Sequence, residues 1–331
     1  DFDAIPQEWR ELPLRFRSDF RVAVLGRVDS GKTSLLLLTM NERIGEGPIS
    51  VADLDVGQPE ICPPTTFAIA EVSSPTYRLS SVKASAVYPF GFTTPSYALN
   101  RSVELIRRHF SRLAERGRVL INLDGWVDGP QAVEHKASIV RALRPTDVVA
   151  IETEVEGELL EACREVGAEV HHVARPPTVP RRDREERKRA REMGYTAALR
   201  NASLRQTVKS WLTYYHVLSD QPVADPERYL MGVVRDLETK SIDIGLEVPE
   251  DFGAEPDLGR AGAGLLSYLL DDEGSVLGLS LLLGFSRERN LVRILTNHQG
   301  PIKYLRMGAL VLSQRFEEIH VVDPSSLSCD R

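Results

Sequence analysis

Arg21-Val-Ala-Val-Leu25 runs straight into Gly26-Arg27-Val28-Asp29-Ser30-Gly31-Lys32-Thr33, and an apolar helical stretch follows from about 32 to 40. The eight residues from Gly26 match G-x-x-x-x-G-K-[S/T]. The strand before them and the helix after them are the context that gives this pattern meaning. Glycines let successive backbone N–H groups turn inward, and a helix N-terminus adds its positive end. The sequence thus predicts a phosphate cradle of Gly26, Asp29, Ser30, Gly31, Lys32, Thr33 and Ser34. In this cradle Lys32 bridges the β- and γ-phosphates of a nucleotide. The Thr33 hydroxyl is placed to ligate Mg²⁺, with Ser34 a weaker second.

Outward from the loop, apolar strands are predicted at 49–54, 119–123 and 147–152, with helical patterns at 97–116 and 131–143. Strands alternating with helices predict a doubly wound parallel α/β sheet of the P-loop NTPase class. Prolines punctuate 175–180, and a charged helical stretch covers about 182–199. The texture changes near Gln221-Pro222. Stretches 229–248 and 265–321 alternate apolar and polar residues, which predicts a smaller β-rich C-terminal domain. The expected organisation is an N-terminal extension at 1–20, a P-loop domain at 21–221 with an Arg-rich lid at about 175–199, and a β-rich domain at 222–331.

The class of P-loop protein is narrowed by what the chain lacks. It contains no Asn-Lys dipeptide, so the guanine-reading motif of GTPases is missing, and no Ser-Gly-Gly of transporter ATPases. A kinase of a small molecule or of a polynucleotide remains. Asp53 and Asp55 close the second strand, and residues i and i+2 of a strand share a face. Phosphoryl transfer needs a metal held on the phosphates and a group to take the acceptor's proton, and two carboxylates can divide those tasks.

Three further stretches carry a resemblance. In order after the loop come Asp53-x-Asp55-x-Gly57-Gln58, Thr93-Thr94-Pro95-Ser96 and Asn122-x-Asp124-Gly125-Trp126-Val127-x-Gly129. An Arg-rich run from Arg182 to Tyr195 follows. Together they resemble the Clp1/Grc3/Nol9 family of polynucleotide 5′-hydroxyl kinases, over roughly 20–330. The short stretch before the first strand resembles a minimal, archaeal-type member. The resemblance implies transfer of the ATP γ-phosphate, with Mg²⁺, to the 5′-hydroxyl of single-stranded or end-exposed RNA, and in some members of DNA. By position it implies that Asp55 is the general base, that Asp53 supports Mg²⁺ through water and that Gln58 orients near the reacting phosphates. Thr93, Thr94 and Pro95 become a substrate clasp. Trp126 becomes the surface on which the terminal base stacks. Arg182, Arg187 and Arg191 become lid groups that neutralise the transferring phosphoryl group. An ATP-binding RNA-processing scaffold with little catalysis and a P-loop kinase of a small metabolite stay open as alternatives. The resemblance names no protein partner.

Composition sets the outer bounds. The 331 residues carry 41 Lys plus Arg against 48 Asp plus Glu, a net charge of −7, which argues against coating nucleic acid by bulk charge. The charge is segregated, however: residues 175–191 hold eight basic and three acidic side chains, a local +5. Cys62, Cys163 and Cys329 are scattered, with no metal-ligand spacing, which fits a reducing cytoplasm. The seven histidines show no HxxxH or HExxH spacing and read as structural or surface residues. No apolar run approaches the roughly 18–20 residues of a membrane span, so no membrane partner is expected. The N-terminus has no signal-peptide pattern.

Overall fold

The computed structural model describes residues 5–245 and 257–327. Two compact units emerge. The first comprises 1–88 and 93–187, and the second 89–92 and 188–331.

The first unit is α/β. Its elements are α1 (Gln7–Arg15), β1 (Arg21–Gly26), α2 (Lys32–Arg43), β2 (Ile49–Leu54), β3 (Thr66–Val72) and β4 (Ala86–Pro89). There follow α3 (Leu99–Phe110), β5 (Val119–Leu123), α4 (Pro130–Leu143), β6 (Asp147–Ile151), α5 (Gly157–Val166) and β7 (Glu169–Val173). The sheet order is β4-β3-β2-β5-β1-β6-β7, with the run from β2 to β7 parallel and β3 antiparallel to β2. Every residue of β2, β5 and β6 is buried, as parallel strands covered on both faces must be. β1 is central, and the chain leaves it for β2 on one side of β5 while β6 lies on the other. The carboxyl end of β1 is therefore a switch point, where open α/β sheets bind ligands.

The N-terminal segment is more than an extension. Trp9, Leu12, Phe16 and Phe20 join the buried cluster formed by β1, α2 and β2. The Trp9 indole N–H donates to Ala174 O at 3.0 Å.

The second unit is built on an antiparallel sheet. It starts inside helix α6 (Arg184–Ala198) and continues through β8 (Ser203–Val208), β9 (Thr213–Tyr215), α7 (Pro226–Thr239), β10 (Ala263–Leu270), β11 (Val276–Ser286), β12 (Leu291–Thr296), β13 (Tyr304–Ser313) and β14 (Glu318–Val321). The order is β14-β13-β10-β11-β12-β8, and β9 pairs with β13. Two expectations are corrected. The boundary lies near 187 rather than 221, because β8 and β9 pair into the second sheet. The alternation at 229–248 is not a strand: α7 covers 226–239, capped by Asp225, whose side chain accepts the Arg228 N–H at 3.0 Å, with Pro226 in its first turn. Residues 246–248 lie outside the described residues. Phe90 and Phe92 are fully buried core residues. Among the described residues no helix is long and apolar enough to cross a membrane.

Candidate active site

The loop from Gly26 to Gly31 follows β1 and opens α2. Asp29 and Gly31 both adopt left-handed backbone, φ 57° and 99°. Such alternation turns consecutive N–H groups toward one point and forms an anion nest. Glycine is required at 31, where a Cβ would lie 2.8 Å from the Trp9 ring. Lys32 is buried, and its Nζ donates to Gly26 O and Arg27 O, both at 3.1 Å. Burial lowers its pKa, against the opposing pull of Asp55, Asp124 and Asp29. Among the described residues the buried Ser30 hydroxyl has no hydrogen-bond partner, and a phosphate oxygen would supply one.

The two carboxylates after β2 differ in what surrounds them. Asp53 Oδ1 accepts from Asn122 Nδ2 at 2.9 Å and from the Asp55 N–H at 3.4 Å. Its Oδ2 accepts from the N–H groups of Glu60 at 2.6 Å and Ile61 at 3.1 Å. These donors make Asp53 a clamp on the turn between β2 and β3. Asp55 Oδ1 accepts from the N–H groups of Gly57 at 3.2 Å and Gln58 at 3.0 Å. Among the described residues its Oδ2 accepts no hydrogen bond. Burial pushes Asp55 up to about 6 while the Lys32 ammonium pulls the other way. Such a group is ionised at neutral pH yet basic enough to take a proton.

Glu60 was not singled out in the sequence. Its Oε1 accepts from Thr33 Oγ1 at 3.3 Å, and burial raises its pKa. Thr33 and Glu60 form a pair of hard oxygen donors that suits Mg²⁺. The acid at the end of Gly57-Gln58-Pro59-Glu60 was the available signal.

Other predicted residues gather around this turn. A Cβ on Gly57 would lie 2.9 Å from Thr93 O, so the clasp loop rests directly on the base turn. Thr94 caps the short helical turn Pro95–Tyr97. Gln58 Nε2 donates to Arg187 O at 3.1 Å, tying the turn to the start of α6. Arg182 lies on the loop itself: its N–H and Nε donate to the Asp29 carboxylate at 2.8 and 2.9 Å. Arg175 Nε donates to Asp29 O at 2.9 Å. The Arg187 guanidinium donates to Arg182 O. Arg191 is engaged in the second unit, where Glu318 accepts two bonds from it at 2.7 Å and a third from Tyr195 Oη at 3.2 Å. The structure therefore brings Arg182 and Arg187 to the cradle and assigns Arg191 a different partner.

Trp126 is partly exposed on the loop after β5. Its N–H is held by Asp124 Oδ1 at 2.9 Å. Gly125 allows the loop to meet the P-loop, since a Cβ there would lie 2.6 Å from Val28 N. At the opposite edge of the sheet Asp147, Glu169 and His171 approach within 4.8 Å, where His171 Nε2 and Asp147 Oδ1 pair at 2.8 Å. That cluster has no part in the cradle.

The geometry can now be set beside known proteins. A family model described as the mRNA cleavage and polyadenylation factor CLP1 P-loop matches residues 26–198. The chain belongs to this family. The match spans the cradle, the base turn, the Trp126 loop and α6. Among curated family relatives, the polyribonucleotide 5′-hydroxyl kinase of Pyrococcus abyssi is 24% identical, over 94% of this chain and 93% of its own length. That of Pyrococcus furiosus is 25% identical over 95% and 94%. The polynucleotide 5′-hydroxyl kinase Nol9 of Drosophila melanogaster is 30% identical over 44% of this chain and 15% of its own. A solved Clp1p–Pcf11p complex shares the fold with a TM-score of 0.58 at 13% identity, covering 91% of this chain and 76% of that one. The CLP1-type P-loop fold and its use of nucleotide are thus established for this chain.

Proposed function

We propose that this chain transfers the γ-phosphate of ATP to the 5′-hydroxyl end of RNA. The observation that carries the reading is Asp55. It is a buried carboxylate facing Lys32, with one oxygen tied to its own turn and the other unclaimed among the described residues. ATP lies with its phosphates in the nest of residues 26–31. The Lys32 ammonium turns from its loop carbonyls to the β- and γ-phosphates. Thr33 and Glu60 are the residues that would hold Mg²⁺, which when bound would neutralise charge on the phosphate oxygens, and the free Asp55 oxygen is left for the proton. The RNA 5′ end enters beside the Thr93–Pro95 clasp, its terminal base on Trp126. The 5′-oxygen attacks the γ-phosphorus in line. Its bond to phosphorus forms as the bond to the β,γ-bridging oxygen breaks, and Asp55 takes the hydroxyl proton as ADP leaves. Arg182 and Arg187 spread the charge of the transferring group.

The experiment is transfer of labelled γ-phosphate to three acceptors: 5′-hydroxyl RNA, the same RNA bearing a 5′-phosphate, and none. Label on the 5′-hydroxyl RNA alone is expected. ATP binding with no labelled RNA would leave a nucleotide-bound scaffold and contradict the proposal.

A further inference from the structure

α4 buries Ala132, Lys136, Ile139, Val140 and Leu143, a spacing that forms one stripe along a helix facing the core. An ammonium on such a stripe must be paired, because leaving water costs it more than packing its stem returns. Lys136 Nζ meets Asp124 Oδ2 at 2.6 Å, and the two side chains are 1% and 5% exposed. The neighbouring ring, His135, offers no charge: burial pushes it down to about 3, and its Nε2 pairs with Ser102 Oγ at 2.9 Å. Lys136 Nζ also lies 3.4 Å from His135 Nδ1, a longer contact to a neutral ring, so Asp124 is its charged partner.

Asp124 has two tasks. While Oδ2 takes the ammonium, Oδ1 takes the Trp126 N–H and fixes where the indole leaves the backbone. The intervening Gly125 lies against the Val28 backbone, so this turn has little room to readjust. Asp124 also faces Lys32. Without Lys136, the carboxylate would be drawn toward that second ammonium and away from the turn.

We propose that Lys136 is a positioning residue for the acceptor strand: it anchors Asp124 so that Asp124 holds the Trp126 turn in place. This rests on the reading of Trp126 as the platform for the terminal base. The test compares Lys136→Met with two double variants, Lys136→Met/Asp124→Asn and Lys136→Met/Asp124→Leu. Neither double variant leaves a buried charge unpaired, so both remain informative should the single variant fail to fold. In Lys136→Met the KM for a 5′-hydroxyl oligoribonucleotide should rise about tenfold, the scale of losing one stacked base. ATP affinity by calorimetry should stay within about twofold. The Asn double variant, which still accepts the Trp126 N–H, should recover the oligonucleotide KM, and the Leu double variant should not. Quenching of Trp126 fluorescence by oligonucleotide without ATP, with Trp126→Phe as the blank, should follow the same order. An unchanged oligonucleotide KM in Lys136→Met, or equal KM values in the two double variants, overturns the proposal. A wild-type chain that labels no 5′-hydroxyl end overturns the kinase reading instead. The fluorescence order then still decides whether Lys136 positions Trp126 for single-stranded RNA.

Discussion

The carboxyl end of the first sheet and the core of the second solve burial in opposite ways. The first buries Lys32, Asp53, Asp55 and Asp124 close to its strand ends, with Lys136 of α4 against them. The second packs Tyr195, Leu199, Leu266, Tyr268, Leu281 and Leu310 into an apolar cluster. Buried charge is expensive, so its concentration at one edge marks where the fold gives up stability for chemistry. The second core is arranged for stability.

That contrast can be broken by substitution. Lys32→Ala has the largest expected effect: loss of transfer below detection, with thermal unfolding almost unchanged. Loss of folding instead would make Lys32 a structural residue. Arg182→Ala should lower turnover by about a hundredfold, the scale of losing one donor to developing charge. Arg191→Ala should lower stability by about 1.5–3 kcal/mol, since among the described residues it leaves the Glu318 carboxylate only the Tyr195 hydroxyl as a side-chain donor, and should spare turnover per folded molecule. Equal turnover losses in the two Arg variants would return Arg191 to the cradle. Leu281→Ala in the second core should cost about 2–5 kcal/mol, read as a lower unfolding midpoint with unchanged KM values. The smallest effect is on pH dependence. His135 is held neutral, with its pKa moved from 6.5 to about 3. The unfolded chain therefore binds the extra proton between those values, and stability falls as pH drops from 6.5 toward 3. His135→Gln should flatten that slope.

Much of the first unit was legible because its signals are local. Arg21–Thr33 states strand, nest and helix in one run, and β2, β5 and β6 are predominantly apolar. The edges were not. β7 reads Glu-Val-His-His-Val, with one buried residue in five, and carries no apolar run to detect. α1 looked like an extension because its buried residues, Trp9, Leu12 and Pro13, are interleaved with charge. In the second unit the Asp225-Pro226 cap outweighed the apparent alternation that followed. At the site, type and spacing pointed to Lys32, Thr33 and Asp55. Spacing alone could not show that Asp53 clamps its turn, since two of its donors are backbone groups seven and eight residues on and a third is the Asn122 side chain of another strand. Lys136 was visible in principle, as the one ammonium on the apolar stripe of α4.

The pH dependence of turnover probes the base directly. With Asp55 pushed up to about 6, transfer requires its ionised form, and kcat/KM should fall about tenfold per unit below that pH. The most direct measurement is a single turnover of enzyme preloaded with labelled ATP and mixed with 5′-hydroxyl RNA, comparing wild type with Asp55→Asn. The amide keeps an acceptor for the Gly57 and Gln58 N–H groups but cannot take a proton. Unchanged ATP retention with transfer slowed by about 10²–10⁴-fold, and no acid limb in what remains, is the expected result. Transfer in Asp55→Asn at the wild-type rate would contradict the account.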